Sequence, residues 1–147
     1  MVDNVNVSEN KTRFLNGKHT FTKFDNIMTD YSFNGRECFI KQKEIYHLLL
    51  DYKIQTLNND EIGWKLEDID VDKPEGISII NSERYKRVDM SYPPIVIKNG
   101  PNPKNKLYRL IDGTHRMFKM KIDGTKQSNF YVLEKDEIIN YLHDLQK

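Results

Sequence analysis

Residues 93–133 constrain the fold more tightly than any other stretch, because they hold three short apolar runs and one helical run, each fenced by turn residues. PPIVI at 93–97 and LYRLI at 107–111 are dominated by aliphatic side chains, and the Asn, Gly and Pro residues of KNGPNPKNK separate them. Both runs read as strands. A helix from about residue 114 to 122 follows, and Asp123-Gly124 supplies its stop, with the glycine able to take the left-handed cap conformation. NFYVL at 129–133 reads as another strand. In EKDEIINYLHDLQK, at 134–147, Ile138, Ile139, Leu142 and Leu145 recur at helical spacing behind acids in the first turn, which predicts a terminal amphipathic helix. The order strand, strand, helix, strand, helix defines a mixed α+β fold.

The rest of the chain is less regular. Its 147 residues suit one compact domain with its own core. Residues 1–17 are polar, lack periodicity and end in Asn16-Gly17, which predicts a flexible arm. HTFTKF at 19–24 alternates aromatic and polar side chains like a half-buried strand, and a second strand is expected around 38–40, after Asn34-Gly35. Ile45, Leu48, Leu49 and Tyr52 fall at i, i+3, i+4 and i+7, so an amphipathic helix is expected from about Lys41, with His47 on its flank. Trp64 and Leu66 fit a short strand, and EDIDVDKPEG at 67–76 reads as an acidic turn closed by Pro74 and Gly76. Residues 18–60 are thus expected to form an extension of strand and helix packed on a core of residues 61–147.

The charges nearly cancel, 23 basic against 22 acidic, which removes the global positive field of a strong non-specific nucleic-acid binder. Arg84, Lys86 and Arg87 form a local cluster, read as a solvated helical face or loop with anion contact as the alternative. Cys38 is the only cysteine, so neither an internal disulfide nor a cysteine zinc cage can form. No apolar run reaches the roughly 18 residues of a membrane span, and the first residues lack the apolar stretch of a signal peptide. A cytoplasmic protein with no membrane partner is expected, in which the glycosylation sequons at Asn6 and Asn10 carry no meaning.

The densest chemistry lies in IDGTHR, at 111–116, where a strand gives way to a helix. A helix start presents unpaired backbone N–H groups and the positive end of the dipole, and a glycine lets phosphate approach the main chain. Gly113, Thr114 and Arg116 are therefore candidates for phosphate or nucleotide binding: Thr114 also suits the helix N-cap, and Arg116 offers a planar fork of donors. Asp112 can take a proton from an attacking hydroxyl or hold Mg²⁺, and His115 can act as donor, acid or base near neutral pH. The same residue types also make an ordinary turn and cap, so spacing alone leaves a polar turn and a reactive site both open.

PPIVIKNG, a turn, YRLIDGTHRMFKMKIDG and a following strand together resemble the ParB/sulfiredoxin superfamily. The resemblance covers roughly residues 64–133, with WKLEDIDVD similar to the family's first strand and acidic turn. It implies a ParB/sulfiredoxin-like fold, a mixed β-sheet or partly open barrel with packed helices. Sulfiredoxins carry a cysteine between the glycine and the histidine where this chain has Thr114, so their chemistry is not implied. Chromosome-partition ParB proteins carry Gly-Glu-Arg-Arg here, bind CTP and continue into helix-turn-helix domains, for which the segment after Leu133 is too short. Free-serine kinases and the DGQHR proteins share Asp-Gly-x-His-Arg, which matches Asp112, Gly113, His115 and Arg116.

In the kinase branch the matching Asp and His take part in phosphoryl transfer, assisted by a carboxylate just after the first strand. That window offers Asp70, Asp72 and Glu75 here, as acid, base or Mg²⁺ ligand. The resemblance thus implies a nucleoside phosphate such as ATP, ADP or CTP, with Mg²⁺, and an enzyme that transfers or hydrolyses a phosphoryl group. One alternative is a DNA-binding regulator or nuclease-like module with Arg84, Lys86, Arg87, Lys104 and Lys106 on phosphates. Another is a non-catalytic interaction domain that uses the first 60 residues. The nucleotide, the acceptor and the oligomeric state stay open.

Overall fold

The computed structural model describes residues 13–15, 18–20, 28–33, 35–88, 90, 92–102 and 104–144. It is a mixed α+β structure. Strands β1 (Arg13–Leu15) and β2 (Lys18–Thr20) pair as an antiparallel hairpin. Strands β3 (Met28–Phe33) and β4 (Arg36–Lys41) pair antiparallel, and three 3₁₀ turns lead from β4 to β5 (Ile54–Asn58). Next come the two-residue strand β6 (Ile62–Gly63), helix α1 (Pro74–Ile80), helix α2 (Glu83–Lys86), β7 (Ile95–Lys98), β8 (Tyr108–Asp112), helix α3 (Thr114–Asp123), β9 (Gln127–Glu134), the single turn α4 (Lys135–Ile138) and β10 (Leu142–Asp144). Five strands form a curled mixed sheet, a half-barrel in the order β5-β9-β7-β8-β6, and β10-β4-β3 form a smaller antiparallel sheet.

Period-2 alternation explains why the central strands read as unbroken apolar runs: successive side chains point to opposite faces, and here both faces are covered. Ile95, Ile97, Ile111, Tyr131 and Leu133 enter one core with Tyr31, Ile40, Ile45 and Leu49 from the N-terminal part. Their neighbours Val96, Leu110, Phe130 and Val132 enter a second core with Trp64, Met117, Phe118 and Met120. α3 covers this second core, and α2 leans on it through the Tyr85 ring, edge-on to Phe118 at 6.2 Å. α1 starts at Pro74 and lies so close to the preceding turn that a Cβ on Gly76 would fall 2.3 Å from the Asp70 carbonyl oxygen.

The strands at 38–40, 93–97, 107–111 and 129–133, helix α3 and its glycine stop agree with expectation; Gly124 takes φ 72°. Other expectations need correction. The helix expected from Lys41 is a chain of 3₁₀ turns, Gln42–Glu44, Tyr46–Leu48 and Asp51–Lys53. Ile45 and Leu49 are fully buried, but Tyr52, which a continuous stripe would bury, is 77% exposed. Burial of Gln42, Ile45, Tyr46 and Leu49 against the sheet overrides the helical spacing. The expected terminal helix also stops after one turn, held by a capping box between Glu134 and Glu137. Its continuation becomes β10, which covers the open edge of β4.

Trp64 and Leu66 lie past β6 in a turn rather than in a strand, and Pro74 with Gly76 opens a helix instead of closing a loop. The boundary expected between residues 60 and 61 passes through the large sheet, because β5 pairs with β9 along its whole length. Arg13–Leu15, expected in the arm, pairs as a strand, while the rest of that arm and residues 21–24 of the expected strand lie outside the described residues.

Candidate functional site at the start of α3

β8 carries the chain to Asp112 with one side of its last residues unpaired, because β6 reaches only Tyr108 and Arg109. The N-terminal part of the chain closes that gap. The Ile111 carbonyl accepts from Gln42 Nε2 at 2.7 Å and from Thr29 Oγ1 at 2.8 Å, and Gln42 Nε2 also donates to Thr29 Oγ1 at 2.7 Å. Gln42 is only 2% exposed. A backbone acceptor buried before the motif is thereby satisfied by side chains from two distant elements.

Gly113 then turns the chain directly into α3. It takes φ 106° and ψ 26°, and a Cβ there would lie 2.7 Å from Pro94 Cβ, so both the backbone and the packing call for glycine. Gly113 is itself the N-cap and Thr114 is the first helical residue, which corrects the expectation that the Thr114 hydroxyl caps the helix. The first helical bond runs from Met117 N to the Gly113 carbonyl at 2.9 Å, so the N–H groups of Thr114, His115 and Arg116 have no partner within the helix.

Arg116 is engaged inside the protein. Its Nη1 donates to the Tyr92 carbonyl at 2.7 Å and the Pro93 carbonyl at 3.3 Å, and its Nη2 meets Asp112 Oδ2 at 3.3 Å. Both side chains of that ion pair are 13% exposed. The carbonyls belong to the segment ahead of β7, where Pro93 and Pro94 have no N–H to build a ladder, and the guanidinium fork ties that segment to the helix. Arg116 therefore positions the 92–94 segment and Asp112, a role the expected phosphate fork did not include.

His115, half-buried in the first turn, is the chemically freer member. Burial holds its imidazole below the ordinary 6.5, and the nearby positive charge of Arg84 pushes it the same way. Both effects favour the neutral imidazole, which can donate from one ring nitrogen and accept at the other. α2 thus brings Arg84 alongside the motif, which helix-to-helix packing explains: Tyr85 rests on Phe118, and Lys119 Nζ lies 5.5 Å above the Tyr85 ring.

The acidic window is not joined to the motif by any hydrogen bond or ion pair among the described residues. Asp70, Asp72 and Glu75 are exposed, and Asp70 Oδ1 accepts from the Asp72 N–H at 2.9 Å. The turn before them docks on the far end of α3, where Lys121 Nζ donates to the carbonyls of Glu67 at 2.7 Å and Ile69 at 2.6 Å. Six residues of helix, a rise of about 9 Å, separate Lys121 from His115. The wider basic set is divided as well. Arg84, Lys86 and Arg87 are exposed on and just after α2, with Arg87 paired to Glu83 at 3.0 Å. Lys104 is paired with Asp68, and Lys106 is held by Glu67 at 3.4 Å and by the Asp60 carbonyl at 2.6 Å.

A pocket of about 240 Å³ opens beside Arg116, between Tyr92, Pro94 and Asn129. It falls below the roughly 300–1,000 Å³ of pockets that enclose whole small molecules. Sequence reasoning missed the Tyr92 and Pro93 carbonyls and the clamp of Gln42 and Thr29. Only Gln42 left a readable trace, as a polar residue three and seven positions before Ile45 and Leu49 on an otherwise apolar stripe. No protein-family model, curated protein or solved structure matches the chain.

Proposed function

We propose that the chain is a ParB/sulfiredoxin-like protein that binds a nucleoside phosphate at the start of α3 and catalyses transfer or hydrolysis of a phosphoryl group. The observation that carries this reading is a half-buried His115 on a glycine-capped helix start, near Arg84 and next to the partly buried Asp112–Arg116 pair. The free N–H groups of the first turn hold phosphate oxygens. His115 donates to a phosphoryl oxygen, and Arg84 adds positive charge. Asp112, once drawn from Arg116, orients the attacking hydroxyl, and Arg116 keeps the 92–94 segment in place. Fixed donors of this kind supply most of the catalysis in phosphoryl transfer.

Among the described residues no three His, Cys, Asp or Glu side chains converge, so a Mg²⁺ brought by the nucleotide would rest on its phosphates and, of the motif, on Asp112 alone. The strand–turn–helix–strand order of β8, Gly113, α3 and β9 in a curled mixed sheet supports the resemblance on which the reading rests.

The test is calorimetric titration of the full chain with ATP, ADP, CTP and GTP, followed by product analysis with the nucleotide that binds. Saturable binding that His115→Ala and Arg84→Ala weaken while circular dichroism shows the fold retained is the expected result. Heat-silent titrations with all four nucleotides would overturn it. The exposed cations of α2 favour a second reading, contact with a nucleic-acid backbone, whose mark is a duplex affinity that falls steeply with salt.

A further inference from the structure

Met117 and Lys121, one step around α3 from Arg116 and Met120, face a second and larger pocket of about 620 Å³. We propose that this pocket binds a small molecule with a flat aromatic or heteroaromatic body and a single anionic group, at a site separate from the start of α3. Its volume lies within the roughly 300–1,000 Å³ typical of pockets for whole small molecules. Ile62, Trp64 and Met117 provide apolar wall. Trp64 is held in place by the second core, its ring edge-on to Phe118 at 6.4 Å.

The charge around the pocket favours an anion. Lys106, Lys121 and Lys126 line it against Asp60 and Glu67, a balance of one positive charge. Two of these cations are already ordered: Lys106 by Glu67 and the Asp60 carbonyl, Lys121 by the carbonyls of Glu67 and Ile69. Ordered cations spare a ligand part of the entropy of arranging them. Lys126 is exposed, and its ammonium has no partner among the described residues, so it can close on a bound anion.

The polar wall is uneven in an informative way. Asn59 Oδ1 is buried and has no hydrogen-bond partner among the described residues, while its amide nitrogen lies 3.7 Å from Met120 Sδ. The Asn59 amide is thus turned into the protein rather than toward the pocket. Beside it, Asn58 Oδ1 accepts from Gln127 Nε2 at 3.0 Å, which leaves the Asn58 amide N–H groups to donate. Those donors match an acceptor on the edge of a heterocycle, and the ammonium groups match its anionic substituent.

Trp64 is the only tryptophan of the chain, so its fluorescence reports on this pocket. The full chain is titrated with adenosine 5′-monophosphate, for a nucleotide source, with indole-3-carboxylate, for a non-nucleotide source, and with adenosine as the uncharged control. A saturable change with either anion is expected, and whichever anion binds more tightly identifies the source. The exposed Lys126→Glu substitution should weaken that binding roughly fivefold or more, and His115→Ala should leave it unchanged. The proposal is overturned if neither anion gives a saturable change, if adenosine binds as tightly as its phosphate, if Lys126→Glu has no effect, or if His115→Ala abolishes the signal.

Discussion

At the scale of single residues, the motif divides into groups held by contacts within the protein and His115, the group proposed to meet the phosphoryl oxygen. Gly113→Ala places a Cβ against Pro94 at a positive φ, and a loss of about 2–4 kcal/mol is expected in chemical denaturation. Arg116→Ala strands two backbone carbonyls and the Asp112 carboxylate, with an expected cost of a further about 2–4 kcal/mol. Lost activity in that variant therefore reports lost structure, and His115 is the residue whose replacement tests chemistry. Its sign with pH is definite. With a folded-state value below the ordinary 6.5, the unfolded chain takes up the proton first, so His115 contributes stability that is complete above pH 6.5 and lost as pH falls through the lower value. The melting temperature should drop between pH 7 and 5, and drop less in His115→Gln. Tyr31 offers the opposite lesson. Burial, partly offset by Arg109, pushes its phenol up to about 12, and its hydroxyl is buried with no partner among the described residues. Tyr31→Phe keeps the ring and removes that unpaired hydroxyl, so thermal melts should show equal or higher stability, by up to about 1 kcal/mol. The passage from strand to helix at this motif was legible in the sequence. The role of Arg116 was not, because its partners are backbone carbonyls that no residue type announces.

At the scale of elements, legibility followed burial. β7, β8 and β9 could be read because burial on both faces leaves an unbroken apolar run, and α3 because Gly113 and Gly124 bracket it. The segments 41–53 and 135–144 misled because apolar residues three and four apart satisfy a helix, a series of 3₁₀ turns or a turn followed by a strand equally well. What decides among them is what each residue packs against. In the first segment Gln42 is the clearest case, since its amide joins the turn at the end of β4 to the end of β8. Gln42→Met keeps much of the volume and removes the donor, and a loss of about 1–2 kcal/mol is expected in urea unfolding. Amide exchange at residues 110–113 should quicken in the same variant, as the strand end loses its side-chain support.

At the scale of the whole molecule, the two cores share the strands that separate them, so they are expected to unfold together. Trp64 fluorescence senses the core under α3, and far-UV circular dichroism averages over all elements. The two should melt at one temperature, as in two-state unfolding, and separated transitions would show that the smaller sheet comes away first. The mixed α+β class was readable from the order of runs. The interleaving of β5 and β10 with distant strands was not, since pairing across about half the chain or more leaves no local pattern. The clamp on the Ile111 carbonyl has a practical corollary for engineering: a graft of residues 106–133 onto another scaffold would carry the motif's letters without the side chains that fix its shape. To be portable, the cassette would have to bring Thr29 and Gln42 with it.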